Sequence, residues 1–326
     1  MIKRVLSRLV GLLTYIPPKG FWPSLMEFII YGIKQSLYAA IYRNVEHPDS
    51  ILDSHFNFKR AHYLEKTVYC ELPKTPELDV SFRALKSYVE SRKGRKDSNY
   101  HYLNQLVLEY ENYPNKFLCP MRKVPCERPS SNEAEIVRKV IVERRSIRQF
   151  REEPVDSTVL EKIIDAGRYA PNSCNAQAVL FISTRSREII DLIFGGTPGA
   201  CDWKSKIPTG VIVGTDRRHY RPFEQHLVMV QDIAAATQNI LLMAHVLGLA
   251  ACWVTLISDM VMRNQKQIYQ ELRLPPHIFV GAAIAIGYPV SKVCSVPRRP
   301  LENVWFHEGF IPQTTSILSE SGVESD

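Results

Sequence analysis

The chain contains no Cys-x-x-Cys pair, no zinc-finger spacing, no RNA-recognition signature and no long block of lysine and arginine. Each absence removes a class of protein. Scattered cysteines give neither a structural zinc site nor a disulfide framework its ligands. The seven present, at positions 70, 119, 126, 174, 201, 252 and 294, are odd in number and fit reduced thiols in a cytoplasmic protein. The glycine-rich stretch "GGTPGACDWK" (195–204) lacks the Gly-Lys-Ser/Thr ending of a nucleotide phosphate loop. Long apolar runs are missing too. The stretch "FWPSLMEFIIYGIKQSLYAAIY" is interrupted by Glu27, Lys34 and Gln35, which makes it a poor membrane span. The opening "MIKRVLSRLVGLLTYIPPKG" has the basic flank of a signal peptide, but Arg8 breaks its apolar run and no small-x-small cleavage site follows. An amphipathic helix packed on protein is the expectation for residues 1–42. Peripheral membrane contact through them is the less favoured alternative.

What is present is an ordinary globular composition, 45% apolar and 23% charged over 326 residues. The net charge of +7 and a pI near 9.0 favour anionic ligands. Without a nucleic-acid motif, a small anion is expected rather than DNA or RNA. The pattern divides the chain in three. Residues 1–125 read as a helical extension, with "DVSFRALKSYVESRK" and "NYHYLNQLVLEYEN" as amphipathic helices. The stretch "NYPNKFLCPMRKVPCERPSSN" reads as a linker. Residues 126–312 alternate helices and strands, and 313–326 form a polar, acidic tail expected to be disordered.

Within the second part, Asn132 to Glu143 is expected to be helical, with Ile136, Val137, Val140 and Ile141 on one stripe. Either Ser130 with Glu133 or Asn132 with Glu135 supplies a capping box. A helix capped by Asp156 or Ser157 stops at Pro171, and strands are expected at "VLFIST", "TGVIVGTD", "AACWVTLI" and "FVGAAIAIGYP". The helix at 223–249 is apolar almost all round in its second half, which suits a core or a subunit interface.

Four segments are candidates for chemistry. "RRSIRQF" (144–150) concentrates three arginines at a helix end, where they either complement the helix dipole or clamp a phosphate. "APNSCNAQAVLF" (170–181) presents Asn172, Ser173, Asn175 and Gln177 at a strand mouth, as an ordinary polar loop or as the edge of a site for a polar heterocycle. "GLAACWVTLI" is either a buried strand or one offering backbone N–H groups to a flat ligand. "GYPVSKVCSVPRRPLENV" carries Arg298 and Arg299, as a solvated turn or a basic return loop. His62 and Glu65, three apart, fit a solvated helix face better than a metal site, and no metal is expected.

Taken in order, "RRSIRQF", "APNSCNAQ", "QNILLMAHVLGLAACWV" and "GYPVSKVCSVPRRPLENV" resemble the FMN-dependent nitroreductase superfamily over about residues 131–307. The resemblance implies an α+β, three-layer fold, a mostly antiparallel central sheet flanked by helices, here preceded by the helical extension. It implies FMN as cofactor, NAD(P)H as electron donor and a homodimer with shared active sites acting on a small molecule. Arg144, Arg145 and Ser146 sit where the family holds the FMN phosphate and ribityl chain, and Arg148 where it places a cation near flavin N1. Arg298 and Arg299 fall where basic residues return to the phosphate. Pro171, Asn172, Ser173, Asn175 and Gln177 match the loop that reaches the isoalloxazine ring, usually across the dimer interface. Val254, Thr255 and Leu256 occupy the strand whose backbone faces N5 and O4. The chemistry is consistent: guanidinium binds phosphate bidentately, and a cation near N1 stabilises the reduced flavin. No catalytic side chain is implied, because hydride moves at flavin N5.

Three departures bear on specificity. Ala178 replaces a frequent proline, Thr255 and Leu256 are bulky, and the 214–230 connection is shorter than the helical lid of broad-range members. A general FMN oxidoreductase is therefore weighed against a specialised biosynthetic flavin dehydrogenase or oxidase, and against a non-catalytic flavin-binding partner anchored through residues 1–42. The aromatics Phe56, Phe58, Tyr63 and Tyr69 make part of 1–125 a candidate lid.

Overall fold

A computed structural model describes residues 60–68, 74–93, 98–112, 129–197, 199–220, 227–256, 266–290 and 296–306. Expectations for residues 1–42, for Phe56, Phe58 and Tyr69, for most of the 113–128 linker and for the 313–326 tail lie outside them. The chain forms two compact units, Met1–Ser291 and Lys292–Asp326.

In the first unit, the described part of the extension is three helices: α1 (60–68), α2 (Pro76–Ser91) and α3 (Ser98–Asn112). Thr75 caps α2, its hydroxyl accepting the Leu78 N–H at 3.4 Å, with a proline in the first turn where a missing N–H costs nothing. Ala61, Leu64, Leu85, Leu103, Leu106 and Tyr110 are almost fully buried together, so the module has its own core.

The helix α4 (Ser131–Glu143) follows. Of the two capping boxes the sequence allows, Ser130 and Glu133 form it: the Glu133 N–H reaches Ser130 Oγ at 3.3 Å, and Glu133 Oε2 accepts the Ser130 N–H at 2.8 Å. Asp156, not Ser157, caps α5 (Ser157–Arg168), accepting the Thr158 N–H at 2.8 Å. Then come β1 (Val179–Thr184), α6 (Arg187–Gly195), β2 (Thr209–Asp216), α7 (Val228–Val246), β3 (Ala250–Thr255), a short helix α8 (266–271) and β4 (Ile278–Gly287). The helix expected over 223–249 is thus α7, with 221–226 outside the described residues.

The four strands pair antiparallel throughout, in the order β1-β2-β4-β3. Alternation along each strand sends side chains to opposite faces. Val211, Val213, Ala282, Ile284 and Ile286 face α5 and α7, where they pack with Leu160, Ile163, Ile233 and Ile240. Ile212, Ala283, Ala285, Ala250 and Val254 face Phe150, Ile190, Ile193, Phe194 and Ile268 on the other side. Helices on both faces make the three layers that the sequence leads one to expect, and they explain why "TGVIVGTD" is apolar without alternation.

The turn from α7 into β3 fixes where that strand starts. The Leu249 N–H reaches Ala244 O at 2.9 Å and the Gly248 N–H reaches His245 O at 3.0 Å, the paired bonds of a Schellman end. Gly248 sits at φ +75°, where a side chain is strained. Gly248→Ala is expected to lower stability by about 1–2 kcal/mol, as an L-residue forced into the left-handed region does. Urea unfolding measures this, and an unchanged midpoint would contradict it.

Candidate functional site

The segment after α4 runs against the outer side of β3. Ser146 bridges Ala251 in parallel, the Ile147 N–H donates to Ala251 O at 3.1 Å, and the chain then crosses to Pro289 at Phe150. This places Arg144, Ser146 and Arg148 beside one edge of the sheet. They gather around Cys252. Burial pushes its thiol above the ordinary range, while Arg148, Arg144 and the Ser146 hydroxyl act in the opposite sense.

The three arginines are not equivalent. Arg145 turns back on α4, its Nη1 donating to Val142 O and, at 2.8 Å, to Arg144 O, so it caps a helix C-terminus. Arg148 makes a long, 3.5 Å bond to Ser146 O and faces the Cys252 thiol. Among the described residues neither Arg144 nor Arg148 has a carboxylate within ion-pair distance, whereas Arg138, Arg151, Arg168, Arg187 and Arg218 each have one. Two guanidiniums without a carboxylate at ion-pair distance beside a strand edge are a donor set suited to an anionic group.

The outward backbone groups of β3 follow from its ladder. The Leu256 N–H donates to Gly281 O at 3.2 Å, so Leu256 and Val254 turn their backbones towards β4. Ala251, Trp253 and Thr255 turn theirs outward. Of the three strand residues the sequence singles out, Thr255 alone presents its backbone to the open edge and is exposed, while Val254 and Leu256 are buried in the core. Trp253 Nε1 is buried with no acceptor among the described residues.

The loop 171–177 lies elsewhere. It enters β1, the opposite edge strand, three inter-strand spacings or about 14 Å from β3. Pro171 and Gln177 are exposed, and Asn172, Ser173 and Asn175 half-buried. Cys174, Asn175 and Gln177 have φ of 51°, 50° and 51°, an unusual run for residues other than glycine. Asn172 Oδ1 accepts the Gln177 N–H at 2.8 Å, closing the loop on itself. The loop borders a groove of about 700 Å³ between α5, β1 and α7, which Asp232 also lines. Near it, the Tyr63 hydroxyl of α1 lies 3.7 Å from Cys174 Sγ.

Arg298 and Arg299 belong to the second unit. Both are exposed, and Arg299 Nη2 donates to Asn303 O at 3.0 Å at the turn Leu301–Asn303. His62 and Glu65 form an i,i+3 contact of 3.8 Å on α1. Among the described residues no three His, Cys, Asp or Glu side chains are grouped to hold a metal.

Three residues of this region were not singled out from the sequence: Cys252, Asp232 and Tyr220. Asp232 left a trace there, as an acid on a helix otherwise apolar on its buried side. Its partners are distant in sequence and carry no pattern.

Residues 141–195 and 196–288 match the model of the Nitroreductase family. Over 158 residues the chain is 30% identical to a protein of Archaeoglobus fulgidus provisionally named an NADH dehydrogenase/NAD(P)H nitroreductase, covering 47% of this chain and 86% of that one. Over 189 residues it is 27% identical to the FMN reductase (NAD(P)H) of Bacillus subtilis, covering 54% and 74%. A solved structure from Desulfovibrio desulfuricans, provisionally named a nitroreductase and in complex with FMN, is 29% identical with a TM-score of 0.46, over 54% of this chain and 98% of that one. The chain belongs to the nitroreductase family.

Proposed function

We propose that this protein is an FMN-dependent oxidoreductase that takes electrons from NAD(P)H and reduces a small organic molecule. The observation that carries the reading is the pair Arg144 and Arg148, uncompensated by any carboxylate among the described residues and held against the edge of β3. The names of the relatives, an NAD(P)H nitroreductase and an FMN reductase, support the same chemistry. Bound there, FMN supplies hydride transfer at its N5. The chain's own residues bind and orient. Arg144 and Ser146 would hold the phosphate and ribityl end. Arg148 would supply positive charge to the ring, and the Thr255 backbone would offer its polar groups to it. Arg145 serves α4 first, and its share in the phosphate site is secondary. No helix among the described residues is long and apolar enough to cross a membrane, and a cytoplasmic location fits the reduced thiols.

Charge-assisted hydrogen bonds contribute about 1.5–3 kcal/mol each. Arg144→Ala with Ser146→Ala is therefore expected to weaken FMN binding by at least about a hundredfold, giving folded, colourless protein. Full flavin occupancy in that double variant, read from the visible spectrum after gel filtration, would remove the phosphate assignment.

A homodimer completes the site on this reading. The arginines and the 171–177 loop lie on opposite edges of one sheet, so one chain's clamp and another chain's loop can share a flavin. An uncovered apolar surface supports it: Ile136, Val137, Ile141 and Val142 of α4 are each more than half exposed. A lone chain has no reason to solvate that stripe. Val137→Asp with Ile141→Asp is expected to give monomers that lose FMN together with the dimer. Light scattering at micromolar concentration checks the mass, and a monomer that keeps its flavin would refute the shared site.

The extension has a part in the specialised version of this function. Tyr63 reaches Cys174 on the loop proposed to face the ring, which supports a lid supplied from residues 1–125. Covering the flavin keeps oxygen from it and narrows the choice of acceptor. Tyr63→Ala is expected to raise oxygen consumption with NADPH several-fold and to lower acceptor discrimination, at unchanged FMN content. Identical oxygen and acceptor kinetics would leave the extension a structural role.

A further inference from the structure

The loop 172–177 has a shape that must be enforced. Three of its six residues are left-handed without being glycine, each at a cost of the order of 1 kcal/mol or more. Internal bonds close the loop but do not orient it: Gln177 to Asn172, and the Ala176 N–H to Ser173 O at 3.0 Å. A bond that leaves it goes from the Ser173 N–H to Asp232 Oδ1, at 3.0 Å. Asp232 is 6% exposed on α7. Its other carboxylate oxygen accepts the Tyr220 hydroxyl at 2.7 Å. Tyr220 Oη stands 3.2 Å from Thr215 Oγ1, and Thr215 donates to Ala178 O at 3.0 Å. Asp232, itself held by Tyr220, thus anchors the loop at Ser173 where it begins, while Thr215 holds Ala178 where it passes into β1.

We infer that Asp232 is the positioning residue of this loop: with its carboxylate held by Tyr220, it fixes through Ser173 the conformation in which Asn172, Asn175 and Gln177 are presented to the flavin ring. The orientation of the loop follows from the hydrogen bonds; its destination at the ring rests on the function proposed above. Asp232 acts only through other residues, so it is not a catalytic residue.

Counting hydrogens gives a discriminating pair of variants. An alanine removes both acceptors. An asparagine keeps one oxygen for Ser173, and its NH₂ donates to Tyr220 Oη. Tyr220 then turns its proton to Thr215 Oγ1, which still donates to Ala178 O. Both bonds that Asp232 accepts keep a partner, so Asp232→Asn restores what Asp232→Ala loses.

The test uses the full chain. Hydrogen–deuterium exchange of a peptide spanning 172–178 is measured without flavin, and FMN affinity and the absorption spectrum are measured by titration. In Asp232→Ala the loop amides are expected to exchange at least about tenfold faster and FMN to bind about 10–100-fold more weakly, the scale of lost bonds to a charged group. Asp232→Asn should stay within about threefold of the parent in both, following the same conversion. Tyr220→Phe, which keeps the ring and deletes one donor, is the second variant should Asp232→Ala not fold. It should speed exchange at the loop and leave α5 unchanged. Parental loop exchange in Asp232→Ala or, failing that, in Tyr220→Phe would overturn the inference, as would Asp232→Asn behaving like Asp232→Ala. If the parent protein itself binds no FMN, the proposed function fails, while the exchange measurements still decide whether Asp232 orients the loop.

Discussion

The structure depends on burying both faces of one four-stranded sheet. Helices α5 and α7 close one face, and Phe150 with α6 and α8 closes the other. The alanines of β4, Ala282, Ala283 and Ala285, are fully buried and small, which lets both layers approach the sheet closely. Nothing chemical can be placed on either face without opening the core. Function is therefore confined to strand edges and loop ends, and every candidate group found here is at one of those places. The edge of β3 would otherwise present unpaired backbone groups, a hazard for aggregation. The segment that covers it at Ala251 is the one carrying Arg144 and Arg148. Edge protection and ligand recruitment use the same residues.

The distribution of acids explains why those arginines stand out. This chain neutralises many of its surface guanidiniums locally, often within three or four residues, as Glu135 does for Arg138 and Asp165 for Arg168. Such exposed pairs contribute little to stability. Among the described residues Arg144 and Arg148 have no such partner, and they lie side by side near the buried Cys252 thiol. Arg145 shows the contrast within one tripeptide, since its charge serves the carbonyl end of α4. Of the two explanations for "RRSIRQF", the helix-end complement describes Arg145, and the anion clamp is the one proposed for its neighbours.

The layered fold was legible because it is written in local periodicity. The near-continuous apolar run of β2 is a short-range signal with one good physical solution, whereas the capping box had two and the helix end at Gly248 was overrun by the apolar pattern that continues to Leu249. The arginine segment was legible as chemistry for the same reason. Asp232, Tyr220 and Thr215 were not, because what defines them is three hydrogen bonds between elements far apart in the chain. Likewise the stripe Ile136, Val137 and Ile141 was visible as an amphipathic pattern, but among the described residues nothing covers it. The pattern reports that a face is apolar without reporting whose surface it meets. The backbone direction of β3, which separates Thr255 from Val254 and Leu256, was also hidden, since it depends on which side β4 pairs.

The helical extension and the family domain keep separate cores. Tyr110, Leu64 and Leu106 pack among themselves, and none of the residues around Ile163 or Ile240 belongs to that cluster. Substitutions inside the α1–α3 module therefore leave the sheet's packing alone. At Tyr63 the module nevertheless meets a loop whose shape Asp232 has already fixed. A contact between two parts that are each internally determined transmits position without needing a large interface. This arrangement suits selection among substrates. On the function proposed, the flavin chemistry would stay with residues of the family domain and the choice of what approaches it with a layer that can change independently.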